Sequence, residues 1–565
     1  MARTVAIGKQ KFDEMREGDF FLVDKTAFIR DWWGSGDDVT LLCRPRRFGK
    51  TLTLDMVRCF LSLEFAGRGE ELFGGLDVWE DPAMRALQGT VPVVSLSFAS
   101  CKGRTLAESL AGMKRVIRTT VRMHDYLLES AALNDDDRAL LRGVSDDMDD
   151  LTATSCLGQL CSMLRRHWGA KPVVLLDEYD TPMQEAWLRG CWDGMSDFVR
   201  ALFNSTFKTN PDMGRALITG ITRVASESIF SDMNNPAVVT TTTPLYEDAL
   251  GFTEAEVAES LAEFGMSSMM DDVRSWYDGF TFGEVAGIYN PWSITCLLQY
   301  REIENYWANS SSNALVSKLV RRGDPSLKTD FEALLNGNTV KKTIDELVDF
   351  RRLSQDFNTV WSLLLATGYL RVVRRIGHVP PKTTELTLTN LEVRQSFESM
   401  VRAWFSIASY QYNGFVDALL ACDAETMCDY LSDLAVCVMS SFDSDGSPSR
   451  NLPERFWHGL VLGLLVELRG RYEVRSQPQS GYGRCDVLLC PLDGTDSLDP
   501  AFIIEFKVFD KRHGEKSLDD TVASALGQIE RKRYASALVE RGVEPCRIHC
   551  FGIAFRGQEV LVGEG

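Results

Sequence analysis

Two small groups of residues in this 565-residue chain have the types and spacing for phosphate chemistry. Near the C-terminus, Gly483-Arg484-Cys485-Asp486 opens an apolar run, and Ala501 to Val508 (AFIIEFKV) sets Glu505 and Lys507 two residues apart. Residues two apart on a strand share a face, so Glu505 and Lys507 point one way while Ile504, Phe506 and Val508 point the other. If the two runs pair, Asp486 meets Glu505 across them. Two carboxylates and a lysine so placed form a phosphodiester-hydrolysis set. The acids hold one or two Mg²⁺, which activate water and stabilise the leaving oxygen, and Lys507 orients the water or offsets phosphate charge.

The N-terminal group is Arg44-Pro45-Arg46-Arg47-Phe48-Gly49-Lys50-Thr51, directly after the apolar run Val39 to Cys43. Its end fits the phosphate-loop pattern GxxxxGK[ST], with Arg44 at the first glycine position. Backbone N–H groups where the loop enters a helix face phosphates, Lys50 reaches the β and γ oxygens, and the Thr51 hydroxyl ligates Mg²⁺. Arg46, Arg47 and Gly49 complete the expected cofactor-binding set. Val173 to Glu178 (VVLLDE) is an apolar strand ending in two acids. Asp177 holds Mg²⁺ through water, and Glu178 polarises the attacking water. Both elements in the right order make ATP the expected ligand, with Thr219, Thr222 and Arg223 as candidate γ-phosphate sensors.

The elements that must position these residues are legible in outline. Val39–Cys43, Val91 to Ala99, Val173 to Leu176 and Ala216 to Ile221 are apolar strand runs separated by helical patterns such as Thr51 to Leu63 and Leu151 to His167. That alternation implies a mostly parallel sheet covered on both faces. From about Glu254 the pattern turns helical and aromatic, with strand-like pieces at Gly368 to Arg374 and Glu385 to Thr389. A Ser, Asp, Gly and Pro cluster from Ser440 to Pro453 marks a boundary. The expected division is a P-loop domain over 1–255, a mainly helical middle over 256–440, and an α/β domain over 441–565.

Composition narrows the class of protein. Hydrophobic residues make up 45% and charged residues 25%, as in a globular chain with large cores. Net charge is −19, so any nucleic-acid site must be local. Residues 451–565 carry 15 Lys and Arg against 17 Asp and Glu, whereas the first 450 carry 46 against 63. The near-neutral C-terminal part, with Lys511-Arg512 and Arg531-Lys532-Arg533, is where a polyanion is least opposed. The 14 cysteines form no CxxC pair and read as thiols of a reducing cytoplasm. The N-terminus lacks an apolar signal region, and no apolar stretch approaches membrane-spanning length, so a cytoplasmic protein without membrane association is expected.

With these residues in place, the chain resembles bacterial predicted AAA-ATPase-like proteins that end in a PD-(D/E)XK nuclease domain. The likeness runs through RPRRFGKT (Arg44 to Thr51), LLDEYD (Leu175 to Asp180), TGITR (Thr219 to Arg223), WYDGF (Trp276 to Phe280) and YNPWS (Tyr289 to Ser293). It continues through ATGYL (Ala366 to Leu370), ERFWHGLVLGLL (Glu454 to Leu465), GYGRCD, IIEFKV and QIERKRYA (Gln528 to Ala535). The resemblance implies an AAA-like P-loop domain, a helical middle region and a restriction-endonuclease-like α/β domain. It implies that Asp486, Glu505 and Lys507 form a nuclease core with Glu454 as an auxiliary metal-binding carboxylate. It also implies that Arg44 is a trait of the family's loop. The chain departs from relatives at Ser476-Gln477-Pro478-Gln479, which stands where a charged stretch is common. The expected activity is ATP binding and hydrolysis coupled to Mg²⁺-dependent cleavage of nucleic acid, with DNA as the expected partner and homo-oligomerisation allowed for. The alternative is a nucleotide-dependent interaction switch whose nuclease-like domain binds without cutting.

Overall fold

A computed structural model describes residues 2–565 apart from 209, 225–235, 310–329, 332, 346, 349, 351–356, 377–382, 406–411, 441–456, 459–460, 463, 466–467, 469–470, 477, 481–482, 493–498, 511–513 and 557–558. Glu454, Lys511, Arg512 and the boundary segment after Ser440 therefore lie outside the described residues. The chain forms two compact units, Met1–Arg322 with Gly337–Gln395, and Gly323–Asn336 with Ser396–Gly565.

The first unit is built on five parallel strands: β1 (Val39–Cys43), β2 (Val93–Ser97), β3 (Val173–Asp177), β4 (Arg215–Gly220) and β5 (Ala237–Val239). Their order across the sheet is β2-β3-β4-β1-β5. The runs are apolar along their length because both faces are covered. On one face Leu42, Leu175 and Leu217 join a core with Leu54, Val57 and Phe60 of α1 (Lys50–Leu61). Helices α2 (Leu106–Arg122), α3 (Asp150–Trp168) and α4 (Trp192–Phe207) pack on one another, α2 also against β2. The acidic stretch after Asn134 begins a helix, Asp135–Gly143, in which Asn134 and Asp137 form a reciprocal capping box.

Two further pieces of this unit bear on the loop after β1. A hairpin, Phe280–Phe282 with Val285–Ile288, packs Phe280, Phe282 and Ile288 around Phe48. Helix α5 (Pro291–Tyr300) follows, with Asn290 as its N-cap. The strand-like pieces expected in the middle region form an antiparallel sheet of β6 (Val340–Thr343), β7 (Leu370–Ile376) and β8 (Thr383–Leu388), in the order β7-β8-β6, and α6 (Leu391–Phe405) follows β8.

The second unit carries a mixed sheet of β9 (Tyr472–Ser476), β10 (Val487–Pro491), β11 (Ala501–Val508), β12 (Ile548–Arg556) and β13 (Glu559–Glu564), in sequential order. All neighbours are antiparallel except β11 and β12, which are parallel. A parallel pair needs a crossover, and α9 (Leu518–Lys532) supplies it, packing on β11, β12 and β13. The alternation in β11 divides two cores. Phe502, Ile504 and Phe506 enter one, with residues of α7 (Tyr412–Leu420) and α8 (Ala424–Ser440), while Ala501 and Ile503 enter the other, with Ile529 of α9. No helix among the described residues is long and apolar enough to cross a membrane.

Candidate functional site

The order β3-β4-β1 sets the N-terminal site. The loop after β1 and the acids Asp177 and Glu178 at the end of β3 flank the end of β4, at the carboxyl edge where open parallel sheets bind ligands. Asp177 receives Thr51 Oγ1 on Oδ2 at 2.7 Å and Thr219 Oγ1 on Oδ1 at 2.6 Å, so the ends of β3 and β4 and the start of α1 meet on one carboxylate. Lys50 is buried, with Nζ donating to the carbonyls of Arg44 (3.0 Å) and Pro45 (2.8 Å). Burial pulls its pKa down, against the opposing pull of Asp177, Glu178 and Asp180.

Gly49, the residue before α1, has φ +82°, a left-handed conformation that admits glycine without strain, and the space where a Cβ would stand is open. Arg47 and Glu178 also take left-handed φ, +67° and +49°, which costs of order 1 kcal/mol for such residues and concentrates at functional positions. The Glu178 carboxylate accepts from Thr181 Oγ1 at 2.9 Å. A cavity of about 520 Å³ is lined by Arg46 to Thr51, Glu178, Lys9 and Lys102, and by apolar Phe21, Val23, Phe252 and Trp292. Its size, its apolar walls and an excess of lining cations (Lys9, Lys25, Arg46, Arg47, Lys50 and Lys102) over acids (Asp24, Glu178 and Glu185) fit a nucleoside triphosphate. The hydroxyl of Thr51 beside a carboxylate is an oxygen donor pair of the kind Mg²⁺ takes. Arg223 is not among the lining residues; it borders a separate space of about 20 Å³ with Cys43 and Thr240.

Arg44 is not among the residues that line the cavity. It is fully buried, with its guanidinium donating to the carbonyls of Cys43 (3.1 Å), Thr240 (2.6 Å) and Tyr246 (3.1 Å) and lying 4.4 Å over the Phe282 ring.

The remaining residues of the DEYD turn hold TGITR. Asp180 Oδ2 accepts from Ile221 N, Thr222 N, Thr222 Oγ1 and Gln184 Nε2, all at 2.9 to 3.0 Å. Tyr179 OH donates to Thr222 O at 2.7 Å and accepts from Val224 N at 3.0 Å. Gly220 is required here, because a Cβ would meet the Tyr179 ring at 2.6 Å. Thr219 thus reaches Asp177, whereas Thr222 is tied to Asp180. We expect Asp180→Ala to lower unfolding free energy by about 3 kcal/mol, since four donors lose a buried acceptor, read from the urea midpoint.

In the second unit, β10 pairs with β11 in the register Val487 opposite Ile504, which sets Asp486 against Glu505. Phe506 N–H donates to Asp486 Oδ2 at 2.9 Å, and Asp486 N–H lies 3.4 Å from Glu505 Oε2. Gln528 of α9 donates to Glu505 Oε1 and sits 3.3 Å from Tyr534 OH, which donates to Arg484 O at 2.6 Å. His458 Nε2 contacts Asp486 O at 3.0 Å, and its ring packs 5.6 Å from Phe506. Burial raises the pKa of Asp486, with the Phe506 N–H, His458 and Lys507 pulling the other way. Asp486, Glu505 and Lys507 therefore converge, and two buried or half-buried carboxylates supply the oxygen donors a divalent ion takes. Gln528, which the sequence sets on a helix flanking these residues as a candidate to orient Lys507, contact nucleic acid or face solvent, instead grips Glu505.

Residues 6–230 match the family of predicted AAA-ATPases, and residues 452–565 match the PD-(D/E)XK nuclease superfamily. The chain thus joins a predicted AAA-ATPase domain to a C-terminal PD-(D/E)XK nuclease superfamily domain. It is 28% identical over 579 residues to an uncharacterized protein in the vnfD 5′ region of Azotobacter chroococcum mcd 1, covering 99% of this chain and 98% of that protein. No solved structure matches the chain.

Proposed function

We propose that the chain binds and hydrolyses ATP in its first unit and, in its second, cleaves phosphodiester bonds of nucleic acid, DNA in the first instance, in the cytoplasm. What carries the nuclease reading is the meeting of Asp486 and Glu505 across β10 and β11 with Lys507 on the Glu505 face, inside a region that matches a nuclease superfamily. At the first site Lys50 offsets triphosphate charge, Thr51 and Asp177 would hold Mg²⁺, and Glu178, steadied by Thr181, takes the proton of the attacking water. At the second, Asp486 and Glu505 would hold Mg²⁺, which when bound activates water and stabilises the leaving oxygen. Gln528 and the Phe506 N–H fix the two carboxylates, and Lys507 orients the water or offsets phosphate charge.

The test is cleavage of circular single- and double-stranded DNA with Mg²⁺ or Mn²⁺, with and without ATP, by wild type, Asp486→Ala and Lys50→Ala. We expect cleavage to vanish in the first variant and its ATP dependence to vanish in the second. ATP hydrolysis without cleavage under any condition would instead make the second unit a binding module.

A further inference from the structure

We infer that Asn290, Trp292 and Trp307, held by the side chain of Glu392, form a clasp that sets the shape of the phosphate-binding loop, with Glu392 as its positioning residue. This rests on reading Arg44 to Thr51 as a nucleotide loop. A loop that presents successive N–H groups to phosphate must turn its carbonyls elsewhere, and each buried carbonyl then needs a donor. The carbonyls of Arg44 and Pro45 use Lys50 Nζ, a donor that also has to serve phosphate. The carbonyl of Arg46 instead receives Asn290 Nδ2 at 3.3 Å and Trp307 Nε1 at 3.2 Å, donors that no nucleotide needs. It is the fixed point of the loop. The next residue, Arg47, is held in its left-handed conformation (φ +67°) with its guanidinium 4.4 Å over the Trp292 ring.

The clasp has its own support. Asn290 Oδ1 caps α5 by accepting from the N–H groups of Trp292 (2.9 Å) and Ser293 (3.3 Å), which aims its amide nitrogen at the loop. Glu392 is 1% exposed and bonds both arms: Ser293 Oγ donates to Oε2 at 2.9 Å, and Trp307 N–H donates to Oε1 at 2.6 Å. Burial lifts its carboxyl to about 7, against the Trp307 and Ser293 bonds that pull it down. Motifs separated by about a hundred residues, YNPWS and the stretch at Glu392, thereby act on one carbonyl of RPRRFGKT.

The test measures binding of a fluorescent ATP analogue with Mg²⁺ to the full chain. Loss of binding in Lys50→Ala secures the nucleotide reading; unchanged binding there overturns it and the clasp with it. Trp307→Phe keeps a ring and deletes the Nε1 donor, so affinity should fall about fivefold to tenfold, the worth of one buried hydrogen bond. Glu392→Ala should lose about tenfold or more, and Glu392→Gln should recover to within about threefold, because an amide oxygen still accepts from Trp307 and its NH₂ still reaches Ser293. In wild type, nucleotide should slow hydrogen exchange over residues 290–308, and in Trp307→Phe that protection should shrink. If Glu392→Ala fails to fold, Trp307→Phe and the exchange data decide. Binding within twofold of wild type in Trp307→Phe, with no nucleotide-dependent protection over residues 290–308, overturns the clasp and leaves the nucleotide reading intact.

Discussion

Asp486→Asn should lower DNA cleavage by about a thousandfold or more while leaving the protein as stable or more stable at pH 8. The two effects have one cause. Asparagine matches aspartate in shape, and its amide oxygen still accepts the Phe506 N–H, so the β10–β11 corner keeps its geometry. The variant loses the negative charge that a divalent ion needs, and with it the water activation that ion supplies. The same charge is a burden to the fold, because burial is the leading cause of the raised pKa of Asp486. A raised carboxyl pKa means that folding favours the protonated form. Its contribution to stability is present below the ordinary aspartate value and is lost as pH rises through the raised one. At pH 8 the wild type has lost that contribution, and asparagine, which does not titrate, never depended on it. Melting in metal-free buffer should therefore show the variant's advantage at pH 8 and a smaller one at pH 4. A residue with only a structural role would lose stability along with activity. Retained cleavage would remove Asp486 from the site.

The parts of the two sites that could be read in advance are those governed by short-range periodicity. The apolar run ending in Asp177 and Glu178 forms β3, and the alternation through Glu505 and Lys507 places Phe506 and Ile504 in the opposite core. Pairing of Asp486 with Glu505 follows from the same period of two once the strands are antiparallel. The short strand β5, three residues ending before a run of threonines, carries too little pattern to stand out, and β12 and β13 follow a helix with only the two residues Gly557-Gln558 between them in sequence to mark them as a pair. The supports of the sites were hidden for a different reason. Asp180 acts on backbone N–H groups about 40 residues away, Glu392 on Ser293 99 residues away, and Gln528 on Glu505 from a helix whose rotation the sequence leaves open. Contacts of that kind depend on tertiary packing, which leaves no local spacing to detect. Arg44 is the instructive case: judged by the phosphate-loop pattern it is a defect, and judged by its contacts it is a support.

Arg44→Gly, which restores the glycine of the general pattern, should accordingly destabilise the protein, by about 4 kcal/mol, and should not improve nucleotide binding. Glycine at this position would remove donors to three carbonyls, of which Thr240 O and Tyr246 O belong to the segment beyond β5. It would also empty the space between β1 and the Phe282 ring, where the guanidinium now stacks at 4.4 Å. Burial pulls the guanidinium down to about 10, so it still carries its charge at neutral pH, and the carbonyl dipoles around it compensate for part of the lost hydration. Removing the whole side chain recovers that desolvation cost, which is why the expected loss is smaller than three charge-assisted bonds would suggest. Arg44→Lys separates the contributions. A single ammonium cannot span three carbonyls or stack as a planar fork does, so it should recover about half of the loss. Urea denaturation of the three proteins, with ATP titrated against each, measures both effects. A glycine variant within about 1 kcal/mol of wild type that binds ATP more tightly would show that the arginine merely occupies the first position of the loop. A large loss, half recovered by lysine, would show that this loop uses its first residue to tie β1 to the segment after β5, leaving Gly49 as the glycine that supplies the turn into α1.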